Sequence, residues 1–348
     1  IALLAAGIEA GDEVIVPPYT FIATAESVIE ANAVPIFVDI DPATFNIDPA
    51  KIEEAITPRT RAIMPVHLGG VMCDMDAIMA IADRHGLTVI EDAAHAHGAR
   101  HTRGAAGSIG HMGSFSFQSS KNLNCGEGGI ILTSDEKLYS ACCQIHNCGR
   151  VPEGEWYEHA SIGANYRLSE FEAAILNAQF ERLDDQSNLR DANARYLAGL
   201  LEGMPGIQAQ ATPQYVVRHG CHLFSMRYDE DAWGLPRDAW CRAVSAEGVG
   251  ISAAYTEPLY RQPMFTEKRF GPYTGYRSSN PDIDFAACAE RCPATERICN
   301  HEGLWLYQSI FLGTQEDMDD IAEAIAKVHR HRDTVREHAR KWAEETGS

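Results

Sequence analysis

Short runs of apolar residues alternate with stretches of helical periodicity along the first part of the chain. Brief apolar runs bounded by Gly, Pro or acidic residues are typical of buried strands, and apolar residues three and four apart are typical of amphipathic helices. The predicted strands are residues 13–17, 35–40, 62–67, 88–92, 114–118 and 129–134, and the predicted helices are 20–31, 49–56 and 75–85. This alternation predicts an α/β fold, with a mostly parallel sheet and helices on both faces.

The pattern changes after residue 168, where a long helix is predicted over 168–201. Gly203, Pro205 and Gly206 follow it and predict a hinge. Beyond the hinge we expect strands at 222–228 and 249–253 and helices at 236–247 and 315–330. The chain is therefore expected to form a large domain at 1–203, a smaller C-terminal α/β domain at 204–330, and a charged tail, a frayed or solvated helix, at 331–348.

Charge and cysteine content narrow the classes of function. The 348 residues carry a formal net charge of -20, so nucleic acid and anionic membranes, which repel an acidic surface, are not expected partners. No stretch is apolar and long enough to span a bilayer. The ten cysteines lack the spacing of a four-ligand metal site. The sequence therefore predicts reduced thiols, no metal and a cytoplasmic location.

Two predicted strand ends carry residues that suit cofactor chemistry. The strand 88–92 finishes at Asp92, and the strand 114–118 runs into Lys121. Ligands bind at the carboxyl ends of strands in such sheets, so we expect the two side chains to face each other. A lysine amine condenses with a cofactor aldehyde, and a nearby carboxylate keeps a pyridine nitrogen protonated, so that the ring accepts electrons. Ser116 is a candidate to donate its hydroxyl to the cofactor phosphate.

Each of these residues also has a simpler interpretation. A single lysine in a glycine-bearing loop is commonly a solvated turn residue, and Asp92 alone is compatible with a helix cap beyond a strand. His95 and His97 are two residues apart, a spacing that lacks a third ligand for a metal. The hypothesis of a cofactor site therefore depends on the pairing of Lys121 with Asp92.

A set of linked motifs resembles those of the DegT/DnrJ/EryC1/StrS aminotransferase family. The motifs are GDEVIVP at 11–17, EDAAHA at 91–96, SF at 116–117 with KNL at 121–123, EGG at 127–129 and GANYRLSE at 163–170. The resemblance covers nearly the whole chain, in order and at the spacing of the family. It implies the type I fold of aminotransferases that depend on pyridoxal 5'-phosphate (PLP), with a large mixed α/β domain and a smaller C-terminal α/β domain.

The resemblance also implies roles for individual residues. Lys121 would form the Schiff base with PLP, and Asp92 would pair with its ring nitrogen. His95 would lie against the ring on its hydroxyl side. Phe21, in the motif PPYTF, would stack on the opposite face. Ser116 would contact the phosphate.

Two further expectations concern the edges of the site. Asn165 would reach the phosphate of the neighbouring subunit, which makes the expected active unit a homodimer with a shared site. The alternative is that Asn165 caps the helix that begins near residue 168. The Gly-Thr phosphate loop of the family precedes the helix with which this chain begins, at Ile1. The chain is therefore expected to be a fragment that binds the cofactor weakly.

The implied reaction is a ping-pong transamination from glutamate or glutamine to a keto-cyclitol or keto-sugar. The runs 91–98 and 113–118 are most similar to the branch of inosose aminotransferases and aminohydroxybenzoate synthases. Nucleotide-keto-sugar aminotransferases share nearly every motif and are the alternative. A catalytically silent regulatory or structural relative is a third hypothesis. The choice of acceptor is expected to lie in loops that include 255–265.

Overall fold

The central sheet is parallel except at one edge. The computed structural model describes residues 1–268, 270 and 284–346. Its strands are β1 (Glu13–Val16), β2 (Val34–Phe37), β3 (Thr60–Ile63), β4 (Thr88–Asp92), β5 (Arg100–His101), β6 (Gly104–Ala105), β7 (Met112–Ser116), β8 (Gly129–Leu132), β9 (Ile207–Ala209), β10 (Val216–Arg218), β11 (Leu223–Tyr228), β12 (Ile251–Ala253) and β13 (Gly303–Tyr307). The central sheet has the order β2-β1-β3-β4-β7-β8, in which β8 is antiparallel to β7 and the other pairs are parallel. The predicted α/β class is confirmed.

Helices flank this sheet and build the second half of the chain. They are α1 (Ala2–Ala5), α2 (Ala23–Glu30), α3 (Met75–His85), α4 (Glu136–His146), α5 (Glu170–Phe180), α6 (Leu183–Leu201), α7 (Glu230–Trp233), α8 (Arg237–Ala246), α9 (Pro263–Thr266), α10 (Cys288–Arg291), α11 (Pro293–Arg297), α12 (Gln315–Arg330) and α13 (Arg332–Thr346). None of the helices in the described ranges combines the length and the apolar character needed to cross a membrane. Residues 347–348 of the predicted tail, and 269 and 271–283 of the predicted second domain, lie outside the described residues.

Two helices have the bounds that the sequence predicts, because capping residues mark their ends. In α3, the Asp74 side chain accepts a hydrogen bond from the Ala77 N–H, and Gly86 ends the helix in the left-handed conformation with φ 64°. In α12, Thr314 and Asp317 form a reciprocal capping box. Such end signals are readable from the sequence alone.

Residues 49–56 do not form the helix that the sequence predicts. They form two separate 3-10 turns, Pro49–Lys51 and Glu53–Ala55. A segment this short gains too few hydrogen bonds to offset the free energy of helix nucleation. Thr57 precedes Pro58, and the proline ring disfavours helical backbone at that residue, so the helix cannot extend.

The prediction of one long helix over 168–201 is also wrong. The chain forms α5 and α6, with a break at residues 181–182 that no glycine or proline marks. Helix α6 buries Ala194, Leu197 and Leu201 in an apolar core, whereas the side chains of α5 are exposed or half-buried. The two helices face different surroundings, and local sequence does not encode this difference.

The second sheet forms that apolar core. It is antiparallel, with the order β12-β13-β11-β9, and packs with α6, α8 and α12. The largest buried side chains of this core include Trp233, Trp240, Tyr228 and Phe311. Aromatic pairs such as Trp233 and Trp240, 5.6 Å apart in a T-shaped arrangement, contribute beyond their buried area.

A glycine turn connects the second half of the chain to the central sheet. The N–H of His222 donates to the carbonyl oxygen of Gly69 at 2.8 Å, and that of Gly220 donates to Gly70 at 2.9 Å. A Cβ atom at Gly70 would lie 2.7 Å from the nitrogen of Cys221, and Gly70 has φ 99°. Only glycine therefore permits this approach, which places His222 next to the central sheet.

The buried carboxylate of Glu91 joins β4 to the loop before β7. His67 Nδ1 accepts from the N–H of Cys73 at 3.1 Å, so the proton of the neutral ring lies on Nε2, which donates to Glu91 at 2.8 Å. Three backbone N–H groups of the loop also donate to this carboxylate, from Gly107, Ile109 and Gly110 at 2.9, 2.7 and 2.6 Å. Burial raises the pKa of Glu91, but the hydrogen bonds outweigh burial and lower the pKa below its ordinary value.

We expect Glu91→Ala to reduce the free energy of unfolding by about 3–5 kcal/mol, because His67 and three buried or half-buried backbone N–H groups lose their acceptor. Urea denaturation followed by circular dichroism measures this loss. Glu54→Ala, at an exposed carboxylate, is the control and should change stability by less than about 0.5 kcal/mol. Equal stabilities of the two variants would show that Glu91 does not support the fold.

Candidate active site

The carboxyl ends of β4 and β7 lie side by side at one edge of the sheet. Strand β4 ends at Asp92, β7 ends at Ser116, and the register pairs Asp92 with Ser114. Asp92 and Ser116 both line an open cleft of about 760 Å³. Its size is that of a pocket for a small molecule. The structure thus brings these two candidate residues into one site.

Asp92 faces this cleft because side chains alternate along β4. Glu91 is fully buried, whereas Asp92 is half-buried. One carboxylate oxygen of Asp92, Oδ2, accepts from Thr24 Oγ1 at 2.8 Å, and the other, Oδ1, accepts from the N–H of Ala94 at 3.1 Å. Donors on separate oxygens fix the plane of the carboxylate.

Lys121 lies in the turn that follows β7. Its N–H donates to the carbonyl oxygen of Gln118 at 2.9 Å, and its own carbonyl oxygen accepts from Asn124 Nδ2 at 2.9 Å. Burial lowers the pKa of Lys121 below that of an ordinary lysine, and the nearby charge of Asp92 acts in the opposite direction. No described residue forms a hydrogen bond or an ion pair with Lys121 Nζ. The amine is therefore within electrostatic reach of Asp92 and available as a nucleophile.

Three buried histidines surround the amine of Lys121. The rings of His95 and His222 lie 4.3 Å apart, at an interplanar angle of 38°. Burial lowers the pKa of both rings well below the ordinary value, and the positive charge of Lys121 adds to the effect. Burial likewise lowers the pKa of His97 to about 4. The three rings are therefore neutral at physiological pH and leave the lysine as the basic group.

Asn122 ties the lysine turn to the segment 220–222. Its Nδ2 donates to the carbonyl oxygen of Gly220 at 2.7 Å, so its Oδ1 is the atom that faces His222 Nδ1, at 3.1 Å. Since Oδ1 only accepts, the proton of neutral His222 lies on Nδ1. His95 Nδ1 in turn accepts from the N–H of Gly69 at 3.4 Å. The ring predicted to face the cofactor is therefore held by the glycine turn and by His222.

Phe21 and Asn165 lie at the surface of this chain. Phe21 is 59% exposed and precedes α2. Asn165 is exposed, and its Oδ1 accepts from the N–H of Arg167 at 3.4 Å. The cap of α5 is Ser169, which forms a capping box with Glu172. The alternative interpretation of Asn165 as the helix cap is therefore wrong.

Exposed apolar side chains are concentrated between residues 130 and 180, on β8, α4, α5 and their connecting loop. We call these residues the apolar surface: Ile130, Leu132, Tyr139, Trp156, Tyr157, Ile162, Tyr166, Phe171, Ile175 and Phe180. Ile162 and Phe171 are 95% and 86% exposed. Ile130, Tyr139 and Tyr166 also line the cleft. An exposed apolar surface of this kind is typical of a region that another protein covers.

Comparison with known proteins agrees with this geometry. The sequence profile of the DegT/DnrJ/EryC1/StrS aminotransferase family matches residues 1–326. The chain is 40% identical to a putative L-glutamine:3-amino-2,3-dideoxy-scyllo-inosose aminotransferase of Streptoalloteichus tenebrarius, over 97% of this chain and 81% of the relative. It is 44% identical to a pleiotropic regulatory protein of Geobacillus stearothermophilus, over 82% of this chain and 74% of the relative. The crystal structure of 3-amino-5-hydroxybenzoic acid synthase superposes with a TM-score of 0.82 and 34% identity, over 94% of this chain and 82% of that chain.

The chain belongs to the DegT/DnrJ/EryC1/StrS aminotransferase family. The predicted resemblance is confirmed, as is the fold of the PLP-dependent aminotransferases. The chain is thus an aminotransferase.

Sequence reasoning missed three residues of the aminotransferase site. Thr24 follows Phe21 by one helical turn but contacts a carboxylate 68 residues away. Asn122 and His222 are 100 residues apart and meet only through the glycine turn. The sequence signal for two of them is position, because Thr24 follows the motif PPYTF at 17–21 by three residues and Asn122 lies inside the motif KNL at 121–123. Nothing in the local sequence links His222 to the site.

We expect the amine of Lys121 in the cofactor-free aminotransferase to titrate at a lower pH than a lysine in an unstructured peptide, because burial destabilises the ammonium. The pH dependence of its reaction with an acylating reagent, followed by mass spectrometry of the Lys121 peptide, measures this titration. Asp92→Asn removes the charge that favours the ammonium, so the midpoint should move to still lower pH. An upward movement in Asp92→Asn would contradict the proximity of the two groups.

Proposed function

We propose that the chain is a PLP-dependent aminotransferase that moves an amino group from L-glutamine or glutamate to a keto-cyclitol. The observation that carries the proposal is the amine of Lys121, which has no hydrogen-bond or ion-pair partner among the described residues and lies within electrostatic reach of Asp92, at the carboxyl ends of β4 and β7. The name of the 40% identical relative supports glutamine as the donor and an inosose as the acceptor. Nucleotide keto-sugars remain the alternative acceptors.

The residues around the cleft fit PLP. Lys121 offers an amine without a partner among the described residues, and Asp92 offers an oriented carboxylate on the same cleft that Ser116 lines. We infer that Asp92 holds the ring nitrogen, that Ser116 binds the phosphate, and that neutral His95 and the exposed ring of Phe21 lie against opposite ring faces. When bound, PLP supplies an aldehyde and a ring that accepts electrons.

The residues of the chain would then perform the proton chemistry. Lys121 would hold the cofactor through its amine, and that amine would become available for proton transfer once the amino donor is bound. Its lowered pKa favours the neutral amine, which would take the proton from the α-carbon of the donor. Because the three nearby histidines are neutral, they would not repel the ammonium that forms. Asp92, held by donors on its two oxygens, would favour the protonated ring nitrogen.

The acceptor end of the site is expected near the start of the loop 255–265. Burial, and then the charge of Asp92, raise the pKa of Tyr255, so this hydroxyl lies within electrostatic reach of Asp92. Tyr255 also packs at right angles against Trp305 at 4.9 Å. A neutral hydroxyl beside flat apolar rings suits a polyhydroxylated six-membered acceptor.

A regulatory function is the second candidate, because a relative with 44% identity is named as a pleiotropic regulatory protein. Lys121 and Asp92 are both present and in mutual reach. A silent relative has no need for this pair, so the enzymatic proposal is preferred.

We expect Lys121→Ala to abolish transamination, because no other group replaces the amine. Borohydride reduction of the wild type with PLP should attach the cofactor to the peptide that contains Lys121. The assay should offer glutamine and glutamate with a panel of keto-cyclitols and nucleotide keto-sugars, and measure amino product by mass spectrometry. Lys137→Ala, at an exposed lysine, is the control and should keep full activity. Attachment to another lysine would contradict the assignment.

We further propose that the active unit is a homodimer with a shared site, in which Asn165 reaches the phosphate held by Ser116 of the second copy. The apolar surface supports association, since Ile162 and Phe171 are almost fully exposed in the single chain. Its members Ile130, Tyr139 and Tyr166 line the cleft. A second copy packed on this surface would therefore lie at the mouth of the site, where the exposed side chain of Asn165 is available to it.

Mixing inactive variants tests the shared site. We expect Lys121→Ala and Asn165→Ala, each strongly impaired alone, to regain activity when their subunits exchange. One site of each mixed dimer then combines wild-type Lys121 with wild-type Asn165, so up to about half of the sites in that dimer are intact. Steady-state activity after exchange is the measurement.

Sedimentation of each variant must first confirm that it forms dimers. Mixing of differently tagged copies must then confirm that the variants exchange subunits. Verified mixed dimers without recovered activity would contradict the shared site. Ser169→Ala is a matched control for the Asn165 variant, because it removes the cap of α5 in the same segment but leaves Lys121 and Asn165 in place, so it should not be strongly impaired when alone.

A further inference from the structure

Thr24 forms a hydrogen bond that a threonine in a helix does not ordinarily make. Threonine hydroxyls in helices commonly donate to a backbone carbonyl oxygen one turn earlier. Thr24, in the first turn of α2, instead donates to Asp92 Oδ2 at 2.8 Å, across 68 residues of sequence. Thr24 is 3% exposed, so water does not compete for this bond.

The direction of the hydrogen bonds makes Thr24 the middle member of a chain of hydrogen bonds. A hydroxyl has one proton, and that of Thr24 is committed to the Asp92 carboxylate, which only accepts. The contact of 3.0 Å between Thr20 Oγ1 and Thr24 Oγ1 must therefore be a donation from Thr20 to Thr24. A hydroxyl that accepts a hydrogen bond becomes a better donor, so Thr20 strengthens the bond to Asp92.

This chain of hydrogen bonds controls the orientation of Asp92. Oδ2 accepts from Thr24 Oγ1 and Oδ1 accepts from the N–H of Ala94, so the carboxylate cannot rotate without losing a donor. A ring nitrogen beside Asp92 would therefore meet the carboxylate in one fixed plane.

The same bond locates α2 relative to β4. The N–H of Thr24 donates to the carbonyl oxygen of Phe21 at 3.2 Å, so the two residues belong to one turn. The Thr24 bond to Asp92 thus also limits the distance between the backbone of Phe21 and the carboxylate. A flat cofactor needs both groups at defined positions, one on its face and one at its edge.

We propose that Thr24 is a positioning residue of the aminotransferase, which orients the Asp92 carboxylate toward the cofactor ring nitrogen, with Thr20 as the supporting donor. The inference depends on the proposed function, since it requires PLP in the cleft. It predicts that the hydroxyl of Thr24, rather than its volume, supports cofactor binding and turnover.

Equilibrium titration of the cofactor-free full chain with PLP, followed by absorbance, tests this inference. Thr24→Val keeps the shape but removes the hydroxyl, and should raise the Kd for PLP and lower kcat, each by about 10-fold or more. Thr24→Ser restores the hydroxyl and should return both to within about threefold of the wild type. Thr20→Val should have a smaller effect in the same direction. Since Thr24 is 3% exposed and its hydroxyl is bonded to Asp92, we expect the KM for the donor substrate to change little.

Two controls separate positioning from folding. Ser27→Ala removes a hydroxyl from the same helix that donates only to the backbone of Thr24, and should leave the Kd for PLP unchanged. In an Asp92→Asn background, Thr24→Val should have little further effect on kcat, because its partner charge is already absent. Thermal unfolding of each cofactor-free variant reports on the fold, and Thr24→Ala replaces Thr24→Val if the latter does not fold.

Three outcomes would overturn the inference. They are a wild-type Kd for PLP in Thr24→Val, no recovery in Thr24→Ser, and an undiminished effect of Thr24→Val on kcat beside Asp92→Asn. Failure of the wild type to bind PLP would overturn the proposed function as well, and would be seen before any variant is compared.

Discussion

Strand β4 carries two adjacent carboxylates that face opposite sides of the sheet, and the site depends on this separation. Glu91 points inward, where His67 and three backbone N–H groups of the loop before β7 donate to it. The loop is thereby held against β4, which sets the register that pairs Asp92 with Ser114. Asp92, one residue later, faces the cleft. The buried carboxylate of Glu91 thus positions the strands, and the carboxylate of Asp92 is available to contact a ligand in the cleft.

The electrostatics of the site follow from burial around one amine. Removing Lys121 from water lowers its pKa, and Asp92 partly offsets the effect. The neighbouring rings of His95 and His222 lose their charge for the same reason, and so do not compete as bases at physiological pH. A site with one reactive amine and one carboxylate results, in which each group has a distinct role.

The two halves of the chain contact each other at the turn that contains Lys121. Asn122 follows Lys121 directly and binds the segment that contains Gly220 and His222. That segment pairs with the turn at Gly69 and Gly70, whose backbone only glycine permits. Any movement of the second sheet is therefore transmitted to the residues around the amine. The turn that contains Lys121 therefore acquires all of its contacts only when both halves of the chain have folded.

The sequence by itself determined the parallel sheet, the family and the candidates Lys121 and Asp92, because alternation, helix ends and motifs are local signals. It also placed α3 and α12 at their observed bounds, where capping residues mark the ends. Only the tertiary structure decided the break between α5 and α6, since the two helices pack against different surroundings. It also decided the partners of Asp92 and His95, because Thr24 and His222 lie 68 and 127 residues away from them in the chain. Such contacts depend on how the elements pack, and no local pattern records them.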